Sequence, residues 1–128
     1  MNLIELMHPP ENEGGVVNKT VVNAAKSAFC YKKALDPVFL VAVGGEVSPC
    51  IGTFETVAQQ FVDAGFTKFE APEGGLAYVN PNQILLYMRV ELGIYRFVFD
   101  GKIALTVKAT GAEVTALFEP NKSTIIVD

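Results

Sequence analysis

The chain has no tryptophan, one histidine and two cysteines in 128 residues, and only 19% of its side chains are charged. Each shortage excludes something. With His8 as the sole histidine, any Ser-His-Asp or Cys-His arrangement would pass through a residue set before Pro9-Pro10, where an exposed loop is expected. Cys30 and Cys50 are too few for a disulfide framework or a zinc site, and their apolar neighbours Phe29 and Ile51 point to buried, inert thiols. Glu11 and Glu13 stand alone in a turn, so no metal-ligand set is expected. No apolar run reaches the roughly 18 residues of a membrane-spanning helix, and the opening residues carry neither the basic start nor the cleavage site of a secretory signal. The expectation is a cytoplasmic, non-enzymatic protein with no cofactor, no metal and no membrane partner.

Basic residues are scarce too. Four cations face seven acids in residues 1–65 and six face seven in residues 66–128, for a net charge of −4. A dominant basic footprint for duplex nucleic acid is therefore not expected. What the chain does have is apolar material: half of its residues are hydrophobic, including nine phenylalanines, which supports a packed core and excludes disorder.

That material is arranged with internal similarity. Val17-Asn18, an apolar stretch, Val38 to Val47 around Gly44-Gly45, and Thr53 to Phe61 are followed in the same order by Val79-Asn80, Ile84 to Met88, Tyr95 to Ile103 around Gly101, and Thr110 to Phe118. Leu105 and Val107 alternate with Thr106 and Lys108, the period of a half-buried strand. Asp100-Gly101 predicts a tight hairpin between residues 95–99 and 102–108. Thr110 with Glu113 forms a capping-box pattern ahead of Val114, Leu117 and Phe118 at helical spacing, and Thr53 opens the corresponding helix with Val57 and Phe61 one turn apart. The pairs Gly14-Gly15, Gly44-Gly45 and Gly74-Gly75 lack the spacing of a phosphate loop and read as turns.

The predicted fold class is α+β, mainly antiparallel β, as two small sheet or barrel units each followed by a short helix. They would occupy residues 1–65 and 66–128, the second ending in a strand over residues 123–127, and pack as one globule. The motifs Tyr78-Val79-Asn80-Pro81-Asn82-Gln83-Ile84, Phe99-Asp100-Gly101, Val107-Lys108 and Glu113-Val114 resemble the FlbD-type flagellar proteins and similar uncharacterised domains of phages. That resemblance implies a β-rich mini-domain of bacterial or phage origin that works in regulation or assembly and carries no catalytic motif.

Two sets of residues are candidates for binding. Tyr31, Lys32 and Lys33 concentrate charge and an aromatic ring at the tip of an extra loop in the first half, where contacts collect on a rigid scaffold. Tyr87 and Arg89, with Tyr95 and Arg96 on the next strand, could form a sheet face that stacks unpaired bases while arginine meets phosphate. The bland alternative is that the aromatics line the core. Strands such as residues 84–90 are apolar on both faces, and one helix per unit covers only one. The leading expectation is therefore a protein-interaction module, self-associating as a homo-oligomer, with single-stranded nucleic acid as the alternative partner.

Overall fold

Alternation builds the first pair of strands. In β1 (Leu3–His8) Ile4 and Leu6 are buried while Leu3 and Glu5 face out, and the strand pairs antiparallel with β2 (Asn18–Asn23) from Leu3↔Asn23 to His8↔Asn18. The Asn23 side chain then accepts a hydrogen bond from the Ala25 amide at 3.0 Å and opens a single 3-10 turn over Ala24–Lys26. β3 (Ser27–Lys32), β4 (Phe39–Val43) and β5 (Glu46–Cys50) follow, and α1 (Phe54–Asp63) buries Phe54, Ala58 and Phe61 at helical spacing. The second half runs β6 (Thr67–Glu70), β7 (Leu76–Val79), a 3-10 turn over Pro81–Gln83, β8 (Leu86–Glu91), β9 (Ile94–Val98), β10 (Ala104–Lys108) and α2 (Gly111–Phe118). This computed structural model describes residues 2–12 and 14–118; the strand expected over 123–127 lies outside the described residues.

The architecture is α+β and mainly antiparallel β, with a two-stranded sheet β1-β2 and an eight-stranded sheet in the order β5-β4-β3-β7-β6-β10-β9-β8. The expectation of two small units, each with its own sheet, is corrected here. β3 of the first half pairs with β7 of the second from Phe29↔Val79 to Lys32↔Leu76, so one sheet runs through both halves. The reason lies in β3 itself. Ser27 to Cys30 are buried on both faces, which requires neighbours on both edges and layers above and below.

The two faces of the sheet carry two cores. On one, Cys30, Val41 and Phe39 pack with Cys50, Phe61, Phe66 and with Ile4 and Leu6 of β1, under α1. On the other, Phe29 and Ala42 pack with Phe69, Val79, Phe97, Phe99, Leu105, Val107 and Val114 of α2. Along β3 and β4 the pleat sends Phe29 one way and Cys30 the other, and Ala42 and Val41 likewise, so each core takes alternate residues. Each buried aromatic adds a tilted or edge-on ring contact, Phe29 with Phe99 and Phe69 with Phe97 both at 5.5 Å between centroids.

The expected hairpin at Asp100-Gly101 is present: β9 and β10 pair from Val98↔Ala104 to Ile94↔Lys108, with Gly101 and Lys102 both at positive φ. The capping box is present too, the Thr110 hydroxyl accepting from the Glu113 amide and the Glu113 carboxylate from the Thr110 amide, each at 3.1 Å. Thr53 differs, since its side chain makes no capping hydrogen bond. Position 56 there is threonine, so the reciprocal bond from a glutamate to the N-cap amide is missing as well. His8 is also corrected. It ends β1 rather than lying in a loop, its Nδ1 2.9 Å from the Pro49 carbonyl oxygen and its Nε2 2.7 Å from the Thr20 hydroxyl.

Candidate nucleic-acid interface

The pairing register fixes which side chains share a face. Arg89 lies opposite Tyr95 and Tyr87 opposite Phe97, so Tyr87, Arg89 and Tyr95 stand together, with the two tyrosine rings 6.2 Å apart. They flank the core under α2, and Phe118 of that helix stacks on Tyr87 at 4.9 Å and 17°. Arg96 does not join them. It pairs with Met88 and Thr106, which places it on the opposite face. The expected aromatic and basic platform is thus divided between the two sides of the sheet, and its outermost ring is taken up by the protein's own Phe118.

The face that holds Arg96 has a different character. On β8 both sides are exposed, but over β6, β10 and β9 the α2 side carries the buried Phe69, Leu105, Val107 and Phe97, whereas their neighbours on the other side are half-buried or exposed. That other side includes Lys68, Glu70, Arg96, Thr106, Lys108 and Met88. α1 packs on this face over β3, β4 and β7. The rows of the sheet continue across strands: Lys32 opposes Leu76, Leu76 opposes Glu70, and Glu70 opposes Lys108. Four cations, Lys32, Lys68, Arg96 and Lys108, therefore share one face with Glu70 and Glu91. Among the described residues the sole ion pair is Lys19 with Glu5 at 3.7 Å, on the separate two-stranded sheet, so none of the four cations is neutralised by a salt bridge. A groove of about 620 Å³ takes in two of them, Lys68 and Lys108, along with Glu70, Ile94, Thr110 and Glu113.

The other candidates are also placed. Tyr31 packs against the core under α2, and Lys32 is half-buried, its Nζ donating to the Lys33 carbonyl at 3.4 Å. Lys33 is exposed at the start of the hairpin loop, whose tip is Leu35, 99% exposed. Sequence reasoning missed Lys68 and Lys108. For Lys108 the signal was available: alternation with Val107 and the Asp100-Gly101 turn place it on Arg96's side. Lys68 reaches that face through the β6-β10 pairing between distant segments, which leaves no local trace.

The thiols are buried beneath α1. Burial, together with the nearby Cys50, pushes Cys30 far above the usual thiol range, and burial raises Cys50 to about 11. Burial, then Cys30 and Glu55, also raises the Tyr78 hydroxyl. Such thiols stay protonated and are poor nucleophiles. Among the described residues no three of His, Cys, Asp or Glu gather as a metal site, and no helix is long and apolar enough to cross a membrane.

The described residues thus form an extended antiparallel sheet with one helix on each side. The solved LytTr DNA-binding domain of a methyl-accepting/DNA response regulator from Bacillus cereus has this fold: it is similar to 93% of this chain and 98% of its own length, with a TM-score of 0.59 at 12% sequence identity. No family model and no curated protein matches the chain. The resemblance to the FlbD-type proteins as a tandem repeat is overturned by this likeness, because one fold accounts for nearly the whole chain. The motifs behind that resemblance have local structural causes. Asn80 caps the turn before β8 through the Asn82 amide at 3.1 Å, and Asp100 accepts from the Gly101 amide at 3.1 Å in a hairpin.

Proposed function

We propose that this chain is a DNA-binding module that meets phosphates with the open face of β6, β10, β9 and β8. The observation that carries the reading is the set Lys68, Arg96 and Lys108, brought to one solvent-facing side with no ion-pair partner among the described residues, and bordered by the half-buried Lys32 on β3. The shared fold with a DNA-binding domain supports it over the protein-interaction reading. Duplex is the better substrate than single strand, because the aromatic rings that could stack on bases belong to the other side and Tyr87 is already stacked on Phe118. The module binds rather than catalyses, in the cytoplasm. With a net charge of −4 the affinity rests on local charge alone, so it is weak and strongly salt-dependent.

Within the one domain, residues 1–65 and 66–128 act as two packing units. The division is supported by the two cores, one built mainly from each half. Hydrogen exchange tests it: two groups of amides with distinct opening free energies are expected, and one uniform value would rule the division out.

The functional test is a fluorescence anisotropy titration with a labelled duplex and a single strand of equal length, at about 50 and 200 mM salt. Micromolar binding to duplex that weakens as salt rises is the expected result. Absence of binding to either at low salt would overturn the proposal.

A further inference from the structure

Sheet edges attract other strands, so natural edges are short, bent, guarded by proline or lysine, or covered. The eight-stranded sheet has two, and they differ. β5 is guarded: it contains Pro49, and β1 lies along it through the Met7↔Ile51 bridge, with the Ile51 amide donating to the Met7 carbonyl at 2.8 Å. β8 is guarded less: among the described residues its one strand neighbour is β9, it contains neither proline nor lysine, all six of its residues are exposed, and its one irregularity is a bulge between Arg89 and Glu91. Four of those six, Leu86, Tyr87, Met88 and Val90, are large and apolar, and Leu85 and Leu92 extend the patch to either side, 66% and 90% exposed.

We propose that β8 pairs with β8 of a second copy, antiparallel about a two-fold axis at Met88, so that two eight-stranded sheets join into one. The sequence of the strand selects this occupant and this register. Keeping each face of the sheet continuous across a two-fold axis requires one residue to oppose its own copy. Two such registers make the greatest use of β8. Centring on Arg89 sets two guanidinium groups against each other, which is unfavourable. Centring on Met88 sets methionine against methionine and Arg89 against the ring of Tyr87 of the copy, a cation over an aromatic face, within the regular stretch of the strand that precedes its bulge at Val90. No like charges are then directly opposed, and the apolar patch is covered by itself. The same axis carries the open face of one chain on into that of the other, giving a paired cationic surface, although the dimer stands on the edge strand and not on the DNA-binding reading.

Two measurements on the full chain test the proposal without nucleic acid. Light scattering on size-exclusion chromatography is expected to give the mass of two chains, falling to one for Met88→Asp, which would bury two opposed carboxylates. Oxidation of Met88→Cys with glutathione disulfide is expected to give a disulfide-linked dimer in reducing-agent-free gels, while Leu35→Cys, more exposed but at a hairpin tip, stays unlinked. A wild-type chain that remains a monomer at its highest soluble concentration overturns the proposal. So does a dimer that survives Met88→Asp, or one in which Met88→Cys links no faster than Leu35→Cys.

Discussion

Gly45 and Gly101 touch backbone to backbone. A Cβ on Gly101 would lie 2.7 Å from the Gly45 Cα and 2.8 Å from its carbonyl oxygen, and both residues hold positive φ, +86° and +71°. The turn between β4 and β5 thus rests on the turn between β9 and β10, which locks the two halves together where no side chain could fit. Gly101→Ala is expected to destabilise the fold by about 1–3 kcal/mol, the sum of a strained φ and a displaced turn. Gly44→Ala, with the same handedness of backbone but open space around it, is expected to cost about 1 kcal/mol. Urea denaturation midpoints of the two variants check the order.

Asn80 is a second lock between the halves. Its side-chain amide donates to the carbonyls of Ser27 at 3.0 Å and of Ala24 and Ala25 at 3.4 Å, and its own amide donates to Ala28 at 2.9 Å. At 5% exposure it is one of two buried polar residues among the described residues, and its bonds to the Ser27 and Ala24 carbonyls are buried. Asn80→Ala is expected to cost about 1–3 kcal/mol by stranding a buried carbonyl. Asn80→Asp is expected to fare worse at neutral pH, where a carboxylate would face carbonyl oxygens, and to recover in part on acidification. Thermal melts at pH 7 and pH 4 separate the two variants.

The buried thiols give an alkaline limit. Burial raises the folded value of Cys50 from 9.0 to about 11, and raises Cys30 further still. Above pH 9.0 the unfolded chain therefore releases thiol protons that the folded chain retains, and stability falls as pH rises. The contribution is fully present below pH 9.0 and is lost as pH rises through about 11. Cys50→Ala is expected to be less stable than wild type at neutral pH, through lost packing, with the gap narrowing over that window. Denaturation curves at successive pH values check it.

The tyrosine side of β8 and β9 gives a negative prediction. Since Tyr87 stacks on Phe118 and shares its face with the core under α2, Tyr87→Ala is expected to lower stability while leaving the DNA affinity of the folded protein within about twofold, below the 1–3 kcal/mol of a base-stacking ring. Anisotropy titrations of the variant with duplex and single strand check this directly.

Much of the fold was legible because its causes are local. The β9-β10 hairpin follows from Asp100-Gly101 and the alternation of Leu105 and Val107, and the start of α2 from Thr110 with Glu113. The α+β, mainly antiparallel character follows from the same periodicities. What was not legible depends on pairing between distant segments. That β3 joins β7, which makes one sheet of both halves, is written in no short motif; the buried run Ser27 to Cys30 shows only that partners are needed. The placement of the site shows the same limit. Arg96 was named but assigned to the side of Tyr87, because adjacent residues on a strand point apart and the register, not the spacing, decides which neighbours they meet. His8 looked like a loop residue from Pro9-Pro10, yet the pairing of β1 with β2 carries it into a hydrogen-bonded position.

The most direct measurement is the salt dependence of duplex binding for wild type, Lys68→Ala, Arg96→Ala, Lys108→Ala and a control, Lys19→Ala, whose ammonium pairs with Glu5 on the two-stranded sheet. Each of the first three is expected to weaken binding and to reduce the slope of log affinity against log salt by about one, with the control unchanged. A slope indifferent to Lys68, Arg96 and Lys108, or an affinity lost with Lys19 instead, would contradict an interface on the open face of the sheet.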